Sequence, residues 1–532
     1  MGEKVLVYGS GGRDHALAGE YIESHHVNKV FFAPGNPGVN YTRKGQAGYI
    51  EQVPQVRDFE DVVKFCVDHG VSLVDVGSEN PLSEGLVDVL YKSGIPCLGP
   101  EKKYTRIESD RAFTNGILER MGVKPEWCVF DPGPGATGEE RKKVAQDAKR
   151  YVRDIGYQVV VKAGGLGAGK SGFCCNNPRE AEEAIDRIII DREFAAYGPN
   201  SLKAIVEARR KHREISFFVY LDGKTYLSLG MFAQDYKPAY DPDDVLGRFY
   251  YHYGRTLRGV RRGLHENQVR IPKNLEDMGE DERGQALAHL LKEEGVKLAN
   301  PNTGGTGCYC PHSLVEEEWV TNKILREVVN PFVDVIYNEL GWDYRGVLYF
   351  GLNLNPDNSL SVFEVNVRHG DPEWEVIGRK MKTDLFEIAS ATCEGKLDEF
   401  KRRLPGGEVE WNSRHYVDVV AMVGESSDPG GRWYTGYPGR YGSGYKITGL
   451  DEIDQGVAIF YSGVDEDPER GLVTTGGRVL HVVAGGYSLE EARDLAYKNV
   501  ERIAFLDHRN DDVNVLRYRD TIASVSPSGE SV

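Results

Sequence analysis

The sequence predicts a mixed α/β and α+β chain of several domains that opens on a doubly wound parallel sheet. Three observations predict it. At 532 residues the chain is too long for one hydrophobic core. Through residues 1–105 short apolar strands alternate with helical stretches, the pattern of βαβ units. After Pro405-Gly406-Gly407 the texture turns to strands separated by turn residues, as in a small α+β unit. Hydrophobic residues make up 40% and charged residues 28%, an ordinary globular balance. The net charge of −17 disfavours non-specific binding to nucleic acid or an anionic membrane, so an anionic substrate needs a local basic site. No run of about 18 apolar residues occurs, and Lys4 leads directly into a strand. The eight cysteines include no Cys-x-x-Cys pair, which favours free thiols. The expectation is a cytoplasmic protein.

The first strand, 4–8, runs into Gly9-Ser10-Gly11-Gly12-Arg13-Asp14-His15 and a helix over 16–24. A strand, a glycine loop and a helix start form an anion-binding arrangement, since free N–H groups face the ligand. The dinucleotide fingerprint wants a third glycine where Asp14 stands, and an acid at the end of the next strand. That strand, 29–33, ends in Pro34-Gly35-Asn36-Pro37-Gly38 without one, so a phosphate or ribose loop is the better reading. Helices over 59–70 and 83–93 flank a buried strand over 72–77. A helix is expected over 106–121. The strand 156–162 carries Lys162 at its end and enters a loop with five glycines, 163–172, followed by a second strand over 172–175. Gly164-x-x-x-x-Gly169-Lys170-Ser171 matches a Walker A pattern literally, but no helix follows. Strand, glycine loop and strand instead make a flap over nucleotide phosphates, with Lys162 as a point charge.

Residues 241–299 break the pattern. Arg255, Arg258, Arg261 and Arg262 are followed by a mainly acidic block over 276–283, which reads as a solvated surface insertion dispensable for chemistry. A second glycine loop, 300–307, precedes a long helix over 319–340 and a strand over 346–353. The next strand organises the chain. Phe363, Val365 and Val367 alternate with Glu364, Asn366 and Arg368, so one face is apolar and the other polar. Glu364 and Asn366 offer oxygen ligands suited to Mg²⁺. Arg368 can fork onto a carboxylate or phosphate. Gly370-Asp371-Pro372-Glu373 then adds two carboxylates.

A flap lysine, strand glutamates at Glu207 and Glu214, and a Glu-x-Asn strand in that order resemble an ATP-grasp enzyme. Further blocks narrow the match. They are Gly9-Ser-Gly-Gly-Arg-Asp-His-Ala16, Ala33-Pro-Gly-Asn36, Gly165-Leu-Gly-Ala-Gly-Lys170, Gln234-Asp235 with Lys237, Pro301-Asn-Thr-Gly-Gly305, and Glu364 to Arg368 with Gly370-Asp-Pro-Glu373. Near the end come Gly436-Tyr-Pro-Gly439, Gly476-Gly-Arg-Val-Leu480 and Tyr518-Arg-x-Asp520. Together they resemble the phosphoribosylamine–glycine ligase (glycinamide ribonucleotide synthetase) family over almost the whole chain except 241–299. Departures from the family pattern are Asp110-Arg111 in a lysine-bearing helix, Gly164 in place of an aspartate, and Thr306 in a Gly-Gly-Met-Gly block.

The resemblance implies a Rossmann-like N-terminal domain (1–105), an ATP-grasp core of two α+β lobes (106–408, flap lobe about 125–205) and a small α+β domain (409–525). It implies ligation of glycine to 5-phosphoribosylamine through an acyl phosphate, with ATP and Mg²⁺, or Mn²⁺ in its place, in a monomer or homodimer. Glu364 and Asn366 are expected to hold the metal. Arg111, Lys162, Gly165, Gly167, Gly169 and Lys170 would hold ATP phosphates, and Glu207 and Glu214 its adenine or ribose. Arg368, Asp235 and Lys237 are expected at the chemistry. Gly11, Gly12, Arg13, Gly35, Asn36, Glu79, Asn302, Thr303, Gly304, Asp371, Pro372 and Glu373 are expected to hold substrate. An ATP-grasp ligase for another amine or amino acid and a non-catalytic nucleotide-binding protein are the alternatives.

Overall fold

A computed structural model describes residues 2–41, 50–156, 158–167, 171–209, 213–272, 274–427, 430–510 and 512–524. The N-terminal sheet has five parallel strands in the order Ile50–Gln52, Val27–Pro34, Glu3–Gly9, Leu73–Val76 and Cys97–Leu98. Strand order runs outward in both directions from Glu3–Gly9, so Gly9 sits at the switch point where such sheets place ligand loops. Val5, Leu6 and Val7 are all fully buried, as a sheet covered on both faces requires. Two predicted helices are each split. Gly85, at φ 104, separates Glu79–Glu84 from Leu86–Lys92. Asp110 separates Arg106–Ser109 from Arg111–Arg120 by capping the Phe113 N–H at 3.2 Å. The second break leaves Arg111 on the first turn of a new helix.

The flap lobe is an antiparallel sheet ordered Trp127–Phe130, Ala204–Ala208, Val159–Ala163 and Gly172–Cys175. Helices Gly138–Ile155 and Pro178–Ile189 cover one face. Val159, Val161 and Ala163 are buried beneath them, so the period of two turns Val160 and Lys162 to the other side. The second lobe pairs Tyr226–Ser228, Arg213–Asp222, Arg345–Leu354 and Leu360–Asn366, all antiparallel. Gln234–Asp235 and Gly307–Cys310 leave this region and join His415–Val423, Arg478–Gly486 and Ala458–Tyr461 in one sheet. Through this sheet Arg478 of the C-terminal region reaches Gly304 and Asp371, two residues of the cleft wall.

Two expectations need correction. The register of Leu360–Asn366 slips beside Gly351, which pairs with Glu364 while Leu352 pairs with Val362. Phe363 is the extra residue of this β-bulge and faces the cleft, whereas Val365 and Val367 stay in the core. Residues 241–299, expected as a solvated surface insertion, carry a hydrophobic core of their own. They form helices Val245–Tyr253, Leu257–Glu266 and Glu280–Glu293 around Phe249, Val260, Leu264, Leu287 and Leu291, each at most 1% exposed. Arg179–Glu266 fastens this unit to the flap lobe and Arg255–Glu425 fastens it to the C-terminal region. Phe249→Ala is expected to destabilise the unit by about 3–5 kcal/mol. Hydrogen exchange should rise over 245–293 while turnover changes little. A matching fall in turnover would show that the unit serves the chemistry.

Candidate active site

The two lobes enclose a cavity of about 300 Å³. Its walls carry Arg111, Lys162, Glu207, Glu214, Asp235, Lys237, Asn302, Thr303, Gly304, Glu364, Asn366, Arg368, Asp371 and Glu373, so most of the sequence-predicted site converges here. Phe363 forms part of the wall, with Lys237 Nζ 4.4 Å above its ring centre. Gly351 explains how Phe363 and Glu364 share this space. A Cβ on Gly351 would come within 2.6 Å of the Phe363 ring and 2.9 Å of Glu364 Cγ.

Glu364 Oε1 accepts from Lys237 Nζ at 2.7 Å, and the same ammonium lies 3.4 Å from Glu214 Oε1. Burial works against charge on Glu364, but Lys237 and then Arg111 outweigh it and hold the carboxyl at about 2. Glu214 goes the other way. Burial raises its carboxyl and the Glu364 and Glu373 carboxylates add to the rise, while Lys237 opposes it. An oxygen-rich corner with more acid than one ammonium can satisfy is suited to a hard cation. Glu364, Asn366 and Glu214, whose Oε1 has the 3.4 Å ion pair with Lys237 but no hydrogen bond among the described residues, supply that corner.

Glu207 is an anchor rather than a free acceptor for adenine or ribose. Its Oε1 accepts from Lys124 Nζ at 2.8 Å and Asn115 Nδ2 at 3.1 Å, and its Oε2 accepts from Lys162 Nζ at 2.8 Å. Lys162 also donates to the Phe363 carbonyl at 3.0 Å and so ties the flap sheet to the Glu364 strand. Arg111 is docked on the flap by its backbone N–H, which donates to the Gly164 carbonyl at 2.8 Å. Its buried Nε has no hydrogen-bond partner among the described residues. That leaves a cation facing the cavity for an anion to complete. Gly165 and Gly167 do not line this cavity. Gly165 packs on Ser201 and Gly167 on Ser171, where any Cβ would collide. Gly169 and Lys170 lie outside the described residues.

At the opposite end Arg368 donates to Glu108 Oε1 at 2.9 Å and to the His369 carbonyl at 3.0 Å, and lies 3.6 Å from Glu79. Asp235 is 4% exposed and its Oδ1 has no hydrogen-bond partner among the described residues. Burial, then the Glu373 carboxylate, pushes its carboxyl well above the usual range, against the pull of Lys237. Glu373 accepts from Ser216 Oγ at 2.9 Å, and Thr303 Oγ1 donates to the Lys237 carbonyl at 2.8 Å. Arg478, from the C-terminal region, donates to Asp371 Oδ1 at 2.6 Å and to the Gly304 carbonyl at 2.8 Å. Pro372 stands behind this wall against Gly305.

The N-terminal glycine loop departs from expectation. Asp14 Oδ2 accepts from the N–H groups of Ser10 and Gly11, both at 2.9 Å, and from Ser78 Oγ at 3.1 Å. The chain's own carboxylate occupies the place of a bound anion. Gly12 backs onto His481, and Arg13 is buried with the His369 carbonyl at 3.1 Å. The Asn36 side chain is fully engaged, donating to the Ser10 and Tyr461 carbonyls and accepting from Gly38 N–H. Gly35, at φ 66, packs on Phe32. Gly11, Gly12, Arg13, Gly35, Asn36 and Glu79 all lie off the cavity wall. Gly11 and Glu79 neighbour two residues of that wall, Asp371 and Arg368. Lys124, Phe363 and Arg478 are the site residues that sequence reasoning missed. Only Arg478 carried a signal, inside the Gly476-Gly-Arg-Val-Leu480 block.

The family models of phosphoribosylglycinamide synthetase match in order along the chain. The N domain matches 3–108, the ATP-grasp domain 133–374 and the C domain 434–512. Phosphoribosylamine–glycine ligase of Archaeoglobus fulgidus is 35% identical over 526 residues, covering 98% of each chain. That of Rhodopirellula baltica is 34% identical over 509 residues, covering 94% of each. The chain belongs to the phosphoribosylamine–glycine ligase family. The crystal structure of the Thermotoga maritima ligase shares the fold, with a TM-score of 0.64 at 22% identity over 97% of this chain and 99% of that one. The biotin carboxylase domain of Hydrogenobacter thermophilus 2-oxoglutarate carboxylase, solved with MgADP, ADP and bicarbonate, matches at a TM-score of 0.56 and 15% identity, over 94% and 90% of the chains. Within the family frame the cavity lies between the two lobes of the ATP-grasp domain, and Arg478 of the C domain holds two of its wall residues, Gly304 and Asp371, from behind. Among the described residues no helix is long and apolar enough to cross a membrane.

Proposed function

We propose that this chain joins glycine to 5-phosphoribosylamine with ATP, giving glycinamide ribonucleotide, ADP and phosphate in purine biosynthesis. Full-length kinship carries this reading, because the Archaeoglobus fulgidus and Rhodopirellula baltica relatives are both phosphoribosylamine–glycine ligases and the match spans all three domains. The chemistry explains the residues. A carboxylate is a poor electrophile, so glycine first takes the γ-phosphoryl group of ATP to become an acyl phosphate. The amine of phosphoribosylamine then attacks the acyl carbon and phosphate leaves. Phosphoryl transfer needs positioning and charge neutralisation above all.

Lys162 and Arg111 would bind the ATP phosphates, the first held by Glu207 and the second docked on the flap. Glu364 and Asn366 would hold Mg²⁺, which when bound neutralises charge on the transferring phosphoryl group. Lys237 keeps Glu364 ionised for that purpose. Arg368, braced by Glu108, would stabilise charge on the acyl phosphate. Asp235 would receive the glycine ammonium, whose positive charge offsets the burial that raises this carboxyl. Asp371 and Glu373, with Thr303 and Gly304 across the rim, would meet the amino sugar.

The deciding assay offers ATP with glycine and phosphoribosylamine against a panel of other amino acids and amines. ADP release that needs both named substrates supports the reading, and a preference for another pair rejects it. Lys162→Ala in the same assay should raise the KM for ATP at least about tenfold, the weight of one charge-assisted contact, and change that for glycine far less. An unchanged ATP KM would remove the flap lysine from the phosphates.

A further inference from the structure

A closed cluster of charge lies directly behind the amine end of the cavity, where the C-terminal sheet meets the first helix. His481, Asp418 and Glu375 are each completely buried. His481 Nδ1 lies 2.7 Å from Asp418 Oδ2, on the neighbouring strand, and 3.6 Å from Glu375 Oε1. Its Nε2 has no hydrogen-bond partner among the described residues and points 3.7 Å from Asp371 Oδ1. Asp371 is the one member of the cluster that lines the cavity. The packing that puts the ring there is specific. A Cβ on Gly12 would lie 2.6 Å from His481 Nε2 and 3.1 Å from Glu375 Oε1, so the helix start must be glycine for the ring to fit.

We propose that His481, held by Asp418, is a positioning residue that keeps the Asp371 carboxylate fixed and ionised toward the amino sugar. The inference rests on the reading above that the amine end of the cavity is at Asp371. Its argument is geometric. Asp371 Oδ1 is pulled from one side by Arg478 at 2.6 Å and from behind by His481. An ion pair at 3.7 Å without a hydrogen bond stabilises the charge without using the lone pairs that a substrate N–H or O–H would take. The acids facing the ring are Asp418, Glu375 and Asp371, and Arg478 is the cation beside them. His15 also faces the ring, and burial, then His481, lowers its imidazole to about 3, so it stays neutral. Arg13 and Arg368 face Asp371 from the first helix and the metal-strand side. Burial works against charge on His481, but Asp418 and then Glu375 outweigh it and raise the ring to about 9; burial also pushes the Glu375 carboxyl itself well up, which leaves Asp418 as the chief partner of the imidazolium.

The test compares His481→Gln and Asp371→Asn with wild type in steady-state assays from about pH 3.5 to about pH 9, a span that reaches down to the ordinary aspartate range. His481→Gln should raise the KM for phosphoribosylamine about tenfold or more and leave the KM for ATP within about twofold. Its acid limb in kcat/KM for the amine should move to higher pH, because Asp371 then protonates more readily. A structural role alone would lower the melting temperature without moving that limb. If Asp371→Asn leaves the amine KM unchanged, the placement of the amino sugar is wrong. If Asp371→Asn raises it while folded His481→Gln does not, the inference about His481 is overturned. Should His481→Gln fail to fold, Asp418→Asn keeps the ring and is expected to shift the same limb in the same direction. An unmoved limb in a folded Asp418→Asn protein also overturns the inference.

Discussion

Glu364→Gln is expected to lower turnover by about a hundredfold or more, to raise the Mg²⁺ requirement, and to leave the melting temperature near wild type. The substitution keeps the side chain's shape above Gly351, where little else fits. It removes one negative charge from a corner that already holds too many. Glu214 is raised partly because Glu364 is charged, so neutralising Glu364 relieves that repulsion. Lys237 keeps an amide oxygen to donate to but loses the anionic partner at 2.7 Å, and retains Glu214 at 3.4 Å. The net change in stability is therefore small, while the function loses the anionic ligand that acts on the transferring phosphoryl group. Each ~1.4 kcal/mol of lost transition-state stabilisation is tenfold in rate, so a hundredfold loss asks about 3 kcal/mol of this carboxylate. A folded Glu364→Gln protein with wild-type turnover at low Mg²⁺ would remove the metal from this strand.

The strand around Glu364 was legible in the sequence because its polar residues alternate, and alternation is local. Phe363 was misplaced for the same reason. A strict period of two assigns it to the core, and a bulge that breaks the period has no mark in these residues beyond Gly351 across the ladder. The glycine loop was half legible. Gly-Ser-Gly-Gly after a strand announces free N–H groups, but Asp14, three residues after Gly11, is also placed to fold back and take them. The insertion concealed a signal beneath its charge. Phe249 and Tyr253, Val260 and Leu264, and Leu287 and Leu291 are each spaced by four, the spacing of one helix face. The anchoring role of Glu207 could not have been read. Its chief partner, Lys124, is 83 residues away in sequence, and nothing near either residue names the other.

Glu207→Ala should be the most destabilising single change in the site, by about 3–5 kcal/mol at neutral pH. The carboxylate holds two lysines, and Lys124 has no exposed side-chain surface. Among the described residues, truncation would leave Lys124 only the Val362 carbonyl at 3.4 Å. Lys162 would retain the Phe363 carbonyl but lose its anchor, so the KM for ATP should rise as well. Burial opposes charge on Glu207, yet Lys124 and then Lys162 hold it at about 2, against an ordinary 4.5. A depressed carboxylate stabilises the fold fully above its unfolded pKa. That contribution disappears as pH falls from 4.5 toward about 2. Lys124 works in the other direction, since burial first lowers its ammonium from 10.5 to about 8 despite Glu207. Folding therefore becomes easier as pH rises between those values, and a neutral, apolar Lys124→Met should recover part of the loss when combined with Glu207→Gln. Urea midpoints for wild type, Glu207→Ala and the double variant, taken from pH 2 to 10 (about the span that covers both groups), carry the test. A Glu207→Ala deficit below about 1 kcal/mol at pH 7, or one that stays constant down to pH 2, would mean that the lysines do not depend on this carboxylate.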